Sequence, residues 1–432
     1  MILTLNGENI GSAEMTTGKY QNLKFAFVVF ATLVSSHLFA FHGVNGRIFD
    51  VLEIVVVVAC IGILIVSKDR SPAVSIFGTN VKLFLIIPLI SALGAAAFHG
   101  QELHWSVSVI RTNFFWLIYF VVRVFNIDTK RIVYLIATIG VIWCIITIVQ
   151  QFTYPMILFY NRDGEDGQEL LRGNIYRFMI DPHYFGVFMT IYFYCESLRK
   201  QKFVYMLFVL LGLAGLYYFG TRQVAAAVMG CMAIFTLSLK GRTQIMALGV
   251  ALALSCFAYA FSDVLFGSFV ELTNDQLNSN EDDIRNIAAD FFLFDYWPHW
   301  MTVFTGNGME NHNSHYGMEM LRMNQELGLY RSDVGLIGAF NLFGIFYVIN
   351  ILWVNIKGIS SRYYTGETKY LRLFFVYSLV LVWISEHYSY AAAIPFFCFL
   401  FYLVEWSYTQ KIMIRTIEPA EYEHETRVAE LA

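Results

Sequence analysis

Four arginines, Arg172, Arg177, Arg222 and Arg331, stand beside turns and at the ends of apolar runs, and Asp181, His183 and Tyr184 follow Arg177 closely. A guanidinium keeps its proton and presents a planar fork that meets two phosphate oxygens at once, where lysine offers one compact charge. The chemistry these residues could do is therefore to grip a phosphate and hold the charge that builds on it as a bond breaks. Pairing with neighbouring carboxylates such as Asp163, Glu165 or Asp283 is the other use open to them. Arg222 lies in a very short turn, Gly220-Thr221-Arg222-Gln223, followed by Ala225, Ala226 and Ala227. With so little slack, its side chain is expected to face a ligand. Asp181 precedes Pro182, a pairing that also suits a helix start, since a carboxylate caps and proline fits the first turn. His312 offers a general base near neutral pH. His312 and His315 are three apart, but no carboxylate or cysteine completes a convincing metal set, so neither metal nor cofactor is expected.

The elements that must position these residues are written in the composition. The chain has 432 residues, 57% apolar and only 14% charged, against about 25% charged in soluble domains. Too few charges remain to cover a surface in water, which makes this a polytopic membrane protein. A net charge of −4 gives no basic field for nucleic acid. The six cysteines are scattered through apolar runs and read as packing residues.

A helix needs about 20 mainly apolar residues to cross the hydrocarbon core. Runs of that kind occupy residues 25–43, 51–67, 80–98, 107–125, 131–153, 178–197, 203–220, 223–239, 243–262, 333–356, 370–385 and 387–406. An all-α protein of about 12 transmembrane helices is expected. Residues 1–24 form an N-terminal segment, 25–262 the first nine helices with an outer loop at 154–177, 263–332 a long second outer loop, 333–406 the last three helices, and 407–432 a tail. With the N-terminus and tail in the cytoplasm, all 11 lysines fall on the inner side. Nine arginines (Arg47, Arg111, Arg162, Arg172, Arg177, Arg222, Arg285, Arg322 and Arg331) lie on the outer side, where no lysine does. That asymmetry points to phosphate at the outer membrane surface. In the second loop, residues 281–297 carry Ile284, Ile287, Ala288, Phe291, Phe292 and Phe294 at helical spacing, predicting an amphipathic helix in the membrane plane or over a cavity.

Order, spacing and topology together resemble the O-antigen polymerase and O-antigen ligase superfamily of bacterial envelope glycosyltransferases. RFMIDPHYFGVFM at 177–189 is similar to that family's arginine-led D-P-N-x-F-A segment, with His183 where asparagine is commoner. TRQVAAAVMG at 221–230 resembles its S-R-small helix start, FTGNG at 304–308 its G-x-G turn, and SDVGLIGAFNLFGIF at 332–346 its G-x-x-G helix. Ligase-type members place a His-Asn pair shortly before that helix. Here Met323-Asn324 holds the position, and His312-Asn313 lies further upstream.

The resemblance implies a GT-C-like architecture and a metal-independent, inverting glycosyltransferase at the periplasmic face of the bacterial inner membrane. Its donor is an undecaprenyl-diphosphate-linked glycan, its acceptor a second glycan, and a chain-length regulator is a further partner of the polymerase branch. Arg222, Arg177 and His312 are then the catalytic candidates, with Arg172, Arg331, Asp181, His183 and Tyr184 binding substrate. The displaced His-Asn pair and the arginine-rich loop at 154–177 favour polymerisation of repeat units into O-antigen, capsule or exopolysaccharide over ligation to another acceptor. Outside this class, a lipid-linked oligosaccharide transporter would also suit twelve spans, and a non-catalytic envelope scaffold is the remaining reading. The absence of an internal repeat speaks against transport.

Overall fold

The computed structural model describes residues 8–38, 40–41, 46–67, 73–159, 171–172, 175–176, 178–241, 244–245, 248–249 and 284–431. The regular structure of the described chain is helical apart from one two-residue hairpin, Leu171–Arg172 (β1) on Ile175–Tyr176 (β2), and an isolated bridge between Phe41 and Phe159. The helices are α1 (Glu8–Ser35), α2 (Gly46–Val66), α3 (Gly78–His99), α4 (Leu103–Val109), α5 (Leu117–Phe125), α6 (Thr129–Thr153), α7 (His183–Lys200), α8 (Phe203–Phe219) and α9 (Arg222–Ser238). Beyond residue 283 follow α10 (Ile284–Asp290), α11 (Thr302–Thr305), α12 (His315–Leu327), α13 (Gly335–Phe343), α14 (Ile345–Ile359), α15 (Leu371–Leu381) and α16 (Ile394–Leu431).

Among the described residues, α2, α3 and α6 are long and apolar enough to cross a membrane, and α4 with the 3-10 turn and α5, bent by 49°, makes a fourth span if counted as one. Helices α8, α9, α14 and α15 are apolar but shorter. The chain is a membrane-embedded helical protein. The expected count of twelve is not reached by length and composition. A 17-residue helix such as α8 is only about 26 Å long, and the run expected at 243–262 lies mostly outside the described residues.

Three expected helices are interrupted, each for a visible reason. The run at 107–125 breaks at the 3-10 turn Arg111–Trp116, where the Arg111 guanidinium turns aside to Glu53 (2.9 Å) and Asp50. The run at 333–356 breaks at Gly344, whose φ of +80° few other residues would adopt. The carbonyls freed there are used again: Asn341 O accepts from Asn307 N at 2.8 Å, and Leu342 O from Gly308 N at 2.9 Å and from Ser91 Oγ. The run at 387–406 begins only at Ile394. Before it, the Glu386 carboxylate accepts the backbone N–H groups of Tyr388 and Ser389, holding residues 382–393 in an irregular turn.

The core forms around α16, where every residue from Phe396 to Val404 is buried, as befits a helix apolar on all sides. Phe401 stacks on Phe77, just before α3, with centroids 4.5 Å apart, and Phe84 of α3 on Trp116 at 4.6 Å. At the end expected to face the cytoplasm, Glu405 accepts from Tyr119 Oη (2.6 Å), from the N–H groups of Ile76 (2.7 Å) and Phe77 (2.8 Å), and from Arg123. One buried carboxylate thus caps α3 and pins α5 and α16 together.

Candidate functional site

At the opposite end, expected to face out, three segments meet. Helices α7 and α9 run parallel and both begin here. The residues leading into α7 touch the turn leading into α9: Thr221 Oγ1 lies 4.0 Å from Met179 Sδ, and the His183 ring stacks on Phe219 at 4.9 Å. The third segment is the irregular turn before α16, where the Tyr390 hydroxyl donates to Asp181 Oδ2 and the His387 ring lies 5.6 Å from Tyr184. Asp181, His183, Tyr184 and the Arg222 turn are therefore brought together. Pro182 takes the cap position of α7, and Asp181, just before it, accepts from Tyr390.

Arg222 is the first residue of α9 and half-buried. Two helix N-termini and a guanidinium at one mouth add up to a positive potential suited to an anion. Tyr184 is buried against Phe396 and Phe397. Arg177 lies outside the described residues, and of Arg172 only the backbone, paired with Ile175, is described.

Arg331 and His312 belong to a second group, built on the long loop. The expected amphipathic helix appears as α10 followed by a wider turn, Phe291–Asp295, in which Tyr296 N–H reaches back to Phe291 O (2.9 Å); residues 281–283 lie outside the described part. Its Ala288 and Phe292 are buried against Tyr316, Met320, Leu329 and Val334, so this face covers protein. Helix α12 was not expected from the sequence, although both its signals are present: Ser314 Oγ accepts from Gly317 N at 2.9 Å, and Gly328 ends it with φ of +68°.

Arg331 is only 7% exposed. Its guanidinium is paired with Glu310 Oε2 and donates to Tyr316 Oη, both at 2.8 Å. It lies 5.5 Å from the ring centres of Phe292 and Tyr296 and 5.7 Å from that of Tyr316. Burial pushes the Tyr296 phenol up to about 12, against the pull of Arg331, so this ring stays neutral. The cage is tied to α3 through His99, which stacks on Tyr316 at 4.0 Å and bonds Asn307 Oδ1 at 3.1 Å. The two glycine motifs meet in the same place, as the Gly306-Asn307-Gly308 turn docks on the last turn of α13. A Cβ at Gly338 would collide with the Arg331 carbonyl. His312 stands exposed on the turn before α12.

Of the nine arginines expected outside, Arg111, Arg322 and Arg331 meet carboxylates among the described residues, and Arg47, Arg222 and Arg285 have partners too. Glu386, His387 and Tyr390 were missed as site residues. Their signal was present in Ser385-Glu386-His387-Tyr388-Ser389-Tyr390, a polar cluster between two apolar runs. Among the described residues, no group of three or more His, Cys, Asp or Glu could hold a metal ion. Compared with family models and with curated proteins, the chain matches none.

Proposed function

We propose that the chain is a glycosyltransferase that polymerises undecaprenyl-diphosphate-linked oligosaccharide repeat units at the periplasmic face of a bacterial inner membrane, in a bundle of about twelve spans. The observation that carries this reading is the convergence of the α7 and α9 N-termini, Arg222 and Asp181 at one mouth. In the reaction, an acceptor hydroxyl oxygen attacks the anomeric carbon while the bond from that carbon to the diphosphate breaks. The electron pair leaves on the diphosphate oxygen. Arg222, with Arg177 and Arg172 from the preceding loop, stabilises that charge more in the transition state than in the ground state. The hydroxyl proton passes to a base. His312 and Asp181 are the two candidates, and the placement of Asp181 beside the α9 turn supports the latter.

Transport of a lipid-linked glycan is the second reading, and broken helices favour it. The break at Gly344 argues against it, because its carbonyls are already taken by Asn307, Gly308 and Ser91. Purified protein supplied with a lipid-linked repeat unit should lengthen it, and Arg222→Ala should lower that rate by about 10²–10³. Translocation without lengthening would replace this reading with transport. In cells, loss of the gene should leave single-repeat glycans; long chains stranded on the carrier lipid would indicate a ligase instead.

A further inference from the structure

The long loop is polar for most of its length, yet residues 296–309 contain no Asp, Glu, Lys or Arg. Within and beside that stretch, Phe294 is 70% exposed and Trp300 68%, with Met301 and Phe304 also exposed. These side chains do not stand in isolation. Phe304 lies 6.1 Å from Phe346, the first of an exposed row on α14 that continues through Ile349, Trp353 and Ile356 at helical spacing. On its other side the stretch is held to the end of α3. Phe98 stacks on His299 at 5.0 Å, and a Cβ on Gly94 would stand 2.8 Å from the Gly306 carbonyl. Helix α3 is long and apolar enough to span a membrane, and it exposes Ile86, Ile90 and Leu93.

Residues 299–306 therefore sit level with the last turns of a spanning helix, between two exposed aliphatic faces. A segment at that height meets the boundary between headgroups and acyl chains, where Trp and Phe side chains partition best. We infer that Trp300, Met301 and Phe304, with Phe294, form a membrane-interface anchor that seats the long-loop module in the outer leaflet beside α3 and α14. The partner is the lipid bilayer. Because the stretch carries no formal charge, the anchor requires no anionic lipid, and its insertion is independent of salt.

The test uses the full chain in bilayer nanodiscs of zwitterionic phospholipid, spin-labelled singly through Trp300→Cys, Phe304→Cys or Glu326→Cys. Each variant is first checked for an unchanged melting temperature. Labels at 300 and 304 should collide with a water-soluble nickel reagent at least about fivefold less than the label at 326, while colliding freely with membrane-dissolved oxygen. The same contrast should hold when anionic lipid is added. Equal nickel access at all three positions would overturn the anchor. Exclusion of both reagents at 300 and 304 would overturn it too, by showing that the surface is covered by protein.

Discussion

Arg331 and Arg222 are the same residue type, were expected on the same side of the membrane, and lie beside comparable glycine-bearing turns. Their surroundings differ in burial and in the rings around them. Arg331 is enclosed by Phe292, Tyr296, Tyr316 and Glu310, so its fork is spent inside the protein. Arg222, half-buried and with contacts of its own, begins a helix beside the Asp181 segment. The difference teaches that arginine in place of lysine marks two physical demands at once. Stacking against rings and pairing with a carboxylate in a dry cage need a flat, weakly hydrated cation as much as phosphate recognition does.

Substitution separates the two demands. Arg331→Ala should cost about 3–5 kcal/mol of stability, because it strands Glu310 and empties a cage of three rings. Thermal unfolding in detergent, with hydrogen exchange in residues 284–334, measures the loss. A melting temperature within a degree of wild type would dissolve the contrast. Arg222→Ala should do the reverse: leave unfolding nearly unchanged and raise the barrier to glycan transfer by about 3–4 kcal/mol. Equal losses of stability in both variants would make Arg222 a second structural arginine. A smaller effect is expected from Tyr390→Phe, which removes the hydroxyl that donates to Asp181. About 1 kcal/mol of transfer rate should be lost, read as initial rate with the melting temperature as control; an unaltered rate would detach Asp181 from the chemistry.

This contrast explains what could be read in advance. Membrane character was plain from charge content, and the starts of α6, α8, α9 and α15 fall within two residues of the expected spans, because uninterrupted apolar length is a local property. The breaks at Arg111, Gly344 and Glu386 were not legible. Each depends on a partner distant in sequence or on a side chain that turns back on its own backbone: Glu53 for the first, Asn307 and Gly308 for the second, the N–H groups of Tyr388 and Ser389 for the third. The site divides in the same way. Asp181, His183 and Tyr184 were readable because they adjoin one another at a helix start. Glu386 and Tyr390 join them only through folding, across some two hundred residues of chain. Helix α12, by contrast, had both a serine cap and a glycine stop, and its low apolar content hid it.

His312 gives the smallest expected effect and the finest test of the comparison. Its type suits a general base, and its neighbour Asn313 echoes a His-Asn pair. It is exposed on the turn before α12, however, and no hydrogen bond fixes its ring among the described residues. A base must be held within reach of the proton it takes, and loss of a true general base costs about 10²–10⁴ in rate. His312→Ala should therefore lower glycan transfer by less than about threefold, well below that range. If the rate instead falls a hundredfold with folding intact, the turn carrying His312 must swing over the Arg222 mouth during the reaction. The caged group and the Arg222 turn would then be two halves of one site, and the distinction between Arg331 and Arg222 would be one of timing.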